Sequence, residues 1–161
     1  MQVEIDFCEP VKRSPPIGNL ASRVWVAQSA GGPIGFLSAG GGGEISFVLV
    51  DAAHEGCGVA GLLIRAARTH FEKDDDVEGL THGYPVSPKG QGLMRRYDIE
   101  GRPFPRNRPP NPVAWSDREA TAKAQEVLDR ILGYIAGESP LVPASQGVLI
   151  ETLERREAGS Q

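Results

Sequence analysis

The stretch EGCGVAG, Glu55 to Gly61, puts glycines at 56, 58 and 61 immediately ahead of an apolar run, LLIRAA. Closely spaced glycines lack the β-carbons that would keep a ligand off the backbone, so successive N–H groups can approach a diphosphate. A helix that starts at the same place adds its dipole, which favours an anion at the N-terminus. The chemistry this stretch suits is the holding of a pyrophosphate-bearing cofactor. Two other readings stand beside that one. The G-x-G-x-x-G spacing also matches a nicotinamide-dinucleotide turn, and the same glycines serve a tight strand-to-helix turn that packs closely and binds nothing.

The dinucleotide reading makes two further demands. The glycines must follow directly on a strand, and an acidic residue about 20 positions later must end the next strand to meet a ribose hydroxyl. Asp74, Asp75 and Asp76 stand at that distance, but a helical pattern precedes them with no apolar strand between. DAAHE separates Val50 from Gly56, too long a spacer for the tight turn. Short glycine turns join the preceding strands, which suits antiparallel pairing and not βαβ crossovers.

The rest of the chain has to position that turn. Its 161 residues suit one domain with a real core and no need of metal or disulfide staples. The hydrophobic share of 40% and charged share of 24% are those of a globular protein. A formal net charge of −4 weighs against nucleic acid as the main partner, because binding phosphate backbones takes a basic footprint. Cys8 and Cys57 show no metal-binding spacing. No apolar run approaches the ~18 residues that span a bilayer, and the acidic start MQVEIDFCEP lacks a signal-peptide pattern. A cytoplasmic protein with no membrane partner is expected.

Residues 3–7 (VEIDF) alternate apolar and acidic side chains, a half-buried strand. RVWVAQ (23–28) and PIGFLSA (33–39) read as a hairpin across SAGG, and the glycine tract 40–43 turns into EISFVLV (44–50). There Ile45, Phe47 and Leu49 fall on one face and Ser46, Val48 and Val50 on the other. Both faces are mostly apolar, which predicts a central strand covered on both sides. From Val59 to Phe71 the period becomes helical, with Val59, Leu62, Leu63, Ala66 and His70 on one stripe and Arg65, Arg68 and Lys73 turned to solvent. After the acidic stop at 74–76, residues 77–84 suggest a weak strand and 88–97 a short helix broken by Gly90 and Gly92. The Pro-dense segment 101–115 excludes regular helix or central strand. Ser116 and Glu119 form a capping box for a helix with the stripe Ala124, Val127, Leu128, Ile131 and Ile135. The tail holds one more strand or helix. The expected class is α/β in the broad sense (α+β): a mixed, mainly antiparallel central sheet flanked by helices. Residues 1–100 form its core, 101–115 a loop, and 116–161 a helix and tail packed on the same domain.

This order of strands, short loop and glycines leading into a helix resembles the GNAT-type N-acetyltransferase superfamily. That family's signature is Arg/Gln-x-x-Gly-x-Gly/Ala, and here the stretch reads Glu55-Gly56-Cys57-Gly58-Val59-Ala60, preceded by FVLVDAAH and followed by GLLIRAA. Gly58 and Ala60 match the two small positions. Glu55 stands where Arg or Gln is usual and removes one pyrophosphate contact. The resemblance covers about residues 23–97. It implies an acyl-CoA N-acyltransferase fold, acetyl-CoA (coenzyme A) as cofactor, and acetyl transfer to a primary amine of a small molecule or a protein.

Such a transfer needs a neutral amine, a stabilised oxyanion and a proton for the departing thiolate. The resemblance puts the backbone of Val48, Leu49 and Val50 at the pantetheine and thioester. It puts Glu55, Gly56, Cys57, Gly58, Val59 and Ala60 at the pyrophosphate. Glu44, beginning the central strand, is a candidate base or relay end, against the plainer reading of a solvated strand-end charge. His82, on the next strand, is a second candidate whose ordinary pKa range suits a base. The family's acid is a tyrosine in Asn-x-x-Ala-x-x-x-Tyr. With Ser87 in place of Asn, Gly90 matches the small residue and Met94 takes the tyrosine's position, so Tyr97 serves only with a shifted helix start. Tyr84 is its rival. Cys57, beside the phosphate turn, is not expected to be a nucleophile.

The family also places two helices between the first two strands to wall the acceptor site, and residues 8–22 with Pro15 and Pro16 are too few for them. An open acceptor site follows, or one completed by the Pro-rich segment, by the 116–136 helix or across a homodimer. Arg102, Arg106 and Arg108 would suit an acidic acceptor. A GNAT-like binding or regulatory module without catalysis, and an NAD(P)-binding enzyme, are the alternative functions.

Overall fold

A computed structural model describes residues 1–10, 23–83, 87–101, 116–136, 141–143 and 149–152. The alternating first third of the chain pairs as a meander. β1 (Gln2–Pro10), β2 (Arg23–Ser29), β3 (Gly32–Ala39) and β4 (Glu44–Val50) run antiparallel to one another in sequence order. A 14-residue helix, α1 (Val59–Glu72), then crosses to β5 (Thr81–His82), which pairs parallel with β4. α2 (Pro88–Arg96) leads to β6 (Glu100–Gly101), parallel to β5. α3 (Asp117–Ala136) is followed by β7 (Leu141–Pro143) and β8 (Leu149–Thr152), both antiparallel to β1. The sheet order is β6-β5-β4-β3-β2-β1-β7, with β8 also on β1. This is a mixed, mainly antiparallel sheet flanked by helices.

Strand alternation sorts the side chains into two cores. Val3, Ile5, Phe7, Trp25, Ala27 and Leu37 pack with Leu62, Leu63, Ile64, Ala67 and Phe71 of α1. On the opposite face Val24, Val26 and Phe36 pack with Ala124, Val127, Leu128 and Ile131 of α3. Val59, Leu62, Leu63 and Ala66 of α1 and Ala124, Val127, Leu128 and Ile131 of α3 are buried as the 3.6-residue period predicts, while Ile64, Ala67 and Phe71 widen the α1 face and the Ile135 side chain lies outside the described ones. His70 completes the first core: its ring lies 4.7 Å from Phe7, 5.5 Å from Trp25 and 5.2 Å from Phe71, and Arg23 Nε donates to its Nε2 at 3.2 Å.

β4 is central and covered on both faces, but its face assignment needs one correction. Ala39 pairs with Ile45 and Ser38 with Phe47, so Ser46 is the extra residue of a β-bulge. The bulge flips parity. Ile45 therefore shares the α1 side with Val48 and Val50, while Phe47 and Leu49 pack on the α3 side and Ser46 is exposed.

Other expectations shift too. α2 runs unbroken through Gly90 and Gly92, because Ser87 Oγ caps it by accepting from Gly90 N at 3.1 Å and Pro88 sits in the first turn, where no N–H is needed. The weak strand at 77–84 shortens to two residues. The tail stretch 147–161 supplies one strand, β8, as one of its two expected forms, and β7 (Leu141–Pro143) is a further short strand ahead of it. Arg68 is half-buried and donates to the Tyr97 carbonyl, tying α1 to the end of α2, where solvent exposure was expected. Ser116 caps α3, the first half of the expected box, its Oγ accepting from Glu119 N at 3.1 Å. Segment 11–22, Tyr84, and residues 102–115 with Arg102, Arg106 and Arg108 lie outside the described residues. No described helix is long and apolar enough to cross a membrane.

One strand charge has a measurable signature. Burial first, and then the neighbouring Glu4 carboxylate, push Asp6 above its usual 3.8, although Gln28 Nε2 donates to it. A raised value means the folded state holds the proton more tightly. Its contribution is complete below the unfolded value and is lost as pH climbs through the folded one. Asp6→Asn keeps an acceptor for Gln28 without the charge. It is expected to match the parent protein in urea at about pH 3, where Asp is protonated, and to exceed it at pH 7. Equal urea midpoints at pH 7 would contradict this.

Candidate functional site

β4 and β5 pair only through Glu44 with Thr81 and Ile45 with His82, the ladder closing where Gly83 N donates to Ile45 O at 3.1 Å. Past the bulge, no described residue pairs with the outer edge of β4. Asp51 N donates to Ile34 O at 2.8 Å, so odd-numbered residues here turn their backbone groups toward β3. By alternation the N–H and C=O groups of Val48 and Val50 face the open edge.

That edge forms one wall of a cavity of about 570 Å³, a volume typical of small-molecule sites. Residues 48–50 line it together with 54–56, 58–61, Ser87, Lys89, Gly90, Gly92, Leu93, Arg96 and Tyr97. Asp117, Ala120, Thr121 and Ala124 of α3 close it from the other side. A smaller cavity of about 100 Å³ adjoins it, sharing Val48, Ser87, Gly90, Leu93, Ala120 and Ala124, and adds Ile45, Ser46, Phe47, His82, Gly83 and Met94.

The glycine turn closes one end. DAAHE, the spacer that looked too long, contains a single 3₁₀ turn, Ala52–His54. Gly56 has φ +78° and Gly58, the N-cap of α1, has φ +90°, values that favour glycine. No described side chain caps α1, and its first intrahelical bond is Leu62 N to Gly58 O at 3.1 Å. The N–H groups of Val59, Ala60 and Gly61 are thus without helical acceptors, and all three residues line the cavity. Gly61 has a different reason: a β-carbon there would collide with the Tyr97 hydroxyl, so the glycine lets that ring pack on α1. Gly58→Val is expected to cost about 1–2 kcal/mol of stability from the left-handed backbone alone. An unchanged urea midpoint would mean the turn has another conformation.

Charged groups ring the same end. Lys89 Nζ lies 2.8 Å from Glu55 Oε1, joining α2 to the turn, and Lys89 N donates to Asp117 Oδ1 at 2.8 Å, joining α2 to α3. His54 Nδ1 lies 3.0 Å from Asp51 Oδ2.

Of the residues singled out in the sequence, Val48, Leu49, Val50, Glu55, Gly56, Gly58, Val59, Ala60 and Tyr97 line the larger cavity. Cys57 does not; it is half-buried against the α1-side core. His82 lines the smaller cavity, at the fork of β4 and β5, with Nδ1 3.0 Å from Gly83 O. Glu44 lines neither. Its carboxylate lies over Gly83, where a β-carbon would be 2.7 Å from Oε1, and it is roughly 13 Å along β4 from Val48 at the extended rise. Tyr97 and His82 do not share a cavity. Met94, buried, lines the smaller one beside His82, so a thioether occupies the position that the family motif gives to tyrosine.

Lys89, Arg96, His54, Asp51 and Asp117 were not singled out. The i,i+3 spacing of Asp51 and His54 was readable in DAAH. Lys89 carries no local signal, because its partners are 34 and 28 residues away. Among the described residues no group of three or more His, Cys, Asp or Glu side chains is placed to hold a metal. No family model matches this chain, and neither a curated protein nor a solved structure does.

Proposed function

We propose that this cavity binds acyl-CoA and that the protein transfers an acetyl group from acetyl-CoA to a primary amine of a small molecule or a protein. One observation carries the reading. The edge of β4 that pairs with no described residue and the start of α1 that no described side chain caps border the same cavity, so a ligand with amides at one end and a diphosphate at the other meets complementary groups at both. The pantetheine arm is such an extended amide chain and lies along that edge as an added strand, bonding to the backbone of Val48 and Val50. The diphosphate takes the N–H groups that begin α1. Neither edge amide has an obvious role with a nicotinamide dinucleotide, which disfavours that alternative.

With its diphosphate at α1, the arm runs toward the smaller cavity and brings the thioester to the fork where His82 stands. Attack by a neutral amine forms the C–N bond, the tetrahedral oxyanion collapses, and the C–S bond breaks to release CoA thiolate. His82 takes the proton that the amine must lose. Glu44 lies outside both cavities and is assigned no contact with the reacting atoms. Tyr97 sits at the α1 end, away from the fork.

A second reading has its own observation. Met94 beside His82 offers no proton for the thiolate, which fits a GNAT-like module that binds acyl-CoA without turning it over. Incubation with acetyl-CoA and a panel of primary amines separates the two. Amine-dependent appearance of free thiol supports the transferase; tight CoA binding with no thiol from any amine supports the binding module. Absence of CoA binding defeats both.

A further inference from the structure

Glu55 places a carboxylate at the mouth of a turn suited to an anion, where it opposes the ligand's charge. The same carboxylate holds Lys89 there, Nζ to Oε1 at 2.8 Å. We infer that Lys89 is the cation of the diphosphate site, held beside the turn by Glu55, and that a bound diphosphate takes it over from Glu55. The inference rests on the acyl-CoA reading; it adds Lys89, which lies outside the family motif, and gives Glu55 a role other than contact with the diphosphate.

Three features of the structure support the exchange. The root of the lysine is fixed: its backbone N–H is bonded to Asp117, and Ser87 caps the helix that carries it. Its long flexible stem lets the ammonium move without moving α2. Finally, the side chains of Lys89 and Glu55 are 65% and 47% exposed. An ion pair that wet contributes little, so it gives way to a dianion presenting several charge-assisted acceptors. Both residues line the cavity that Gly56 and Gly58 line, so the ammonium needs to swing only across the turn. The hydrogen-bond donor that the usual Arg or Gln would bring at position 55, and the charge that Arg would bring, are thereby supplied from α2.

This differs from a purely structural tie in the sign of one substitution. Titration calorimetry of the whole protein with CoA, and with pantetheine, which lacks phosphates, reads it out. Lys89→Gln is expected to weaken CoA binding about tenfold, the scale of one charge-assisted hydrogen bond. Glu55→Gln removes the competitor and the repulsion, and is expected to tighten CoA binding about threefold. Pantetheine binding should move with neither. A tie between α2 and the turn would instead be cut by either substitution, so CoA binding weakened by both overturns the inference. So does CoA binding that ignores both, or pantetheine binding that shifts in parallel. If the parent protein binds no CoA, the acyl-CoA reading itself fails and takes the inference with it.

Discussion

Leu49→Pro is expected to unfold or severely destabilise the protein, whereas Val48→Pro, one residue earlier, leaves it folded. The difference comes from which way each N–H points. Leu49 pairs with Phe36 across the β3–β4 ladder, and removing its donor leaves a buried carbonyl without a partner in the middle of the sheet. Adding the ring's clash, the cost is about 3 kcal/mol or more, a large share of an ordinary domain's 5–15 kcal/mol. Val48 turns its N–H to the edge where no described residue pairs, so proline there breaks no described ladder bond and resembles proline on an edge strand. What Val48→Pro does remove is a donor to the ligand, for an expected loss of about tenfold in CoA affinity. Urea midpoints and calorimetry check the two halves. Equal destabilisation by both substitutions would show that the bulge at Ser46 does not set the parity described.

The second large effect concerns His82. Its substitution by glutamine keeps a polar side chain at the fork but removes the base. Given transferase activity, kcat/KM toward a primary amine is expected to fall about a hundredfold, the lower end of general-base contributions. CoA binding should hold, since His82 lines only the smaller cavity. A proportionate loss of CoA binding would instead mean that His82 supports the fork structurally.

The sequence made the scaffold legible wherever periodicity spans a whole element. The α1 and α3 stripes, the β2–β3 hairpin and the doubly covered β4 are all of that kind. What escaped it arises between distant residues. The bulge at Ser46 exists only in the register with β3, so residues 44–50 by themselves predict the wrong partner face for Ile45. β5 and β6, two residues each, are too short to show a period. Glycine clustering at 56, 58 and 61 was plain, yet the separate role of Gly61 depends on Tyr97, the C-cap of a different helix. Lys89 reads as any solvated lysine until α2 is laid against the turn that holds Glu55. Eight of the nine residues expected to touch cofactor border one cavity, because β4, its turn and α1 are contiguous in sequence. The three expected to do chemistry come from β4, β5 and the end of α2, and those scatter: Tyr97 in the larger cavity, His82 in the smaller, Glu44 in neither.

The central claim is that one extended ligand spans the open edge of β4 and the start of α1. Amide chemical shifts of ¹⁵N-labelled protein, followed through a titration with CoA, test it residue by residue. The account predicts perturbations concentrated at Val48, Val50, Gly58, Val59, Ala60 and Lys89, with NAD producing no comparable set. Perturbation of α1's first turn by both CoA and NAD with Val48 and Val50 unmoved, or no response to CoA, would contradict it.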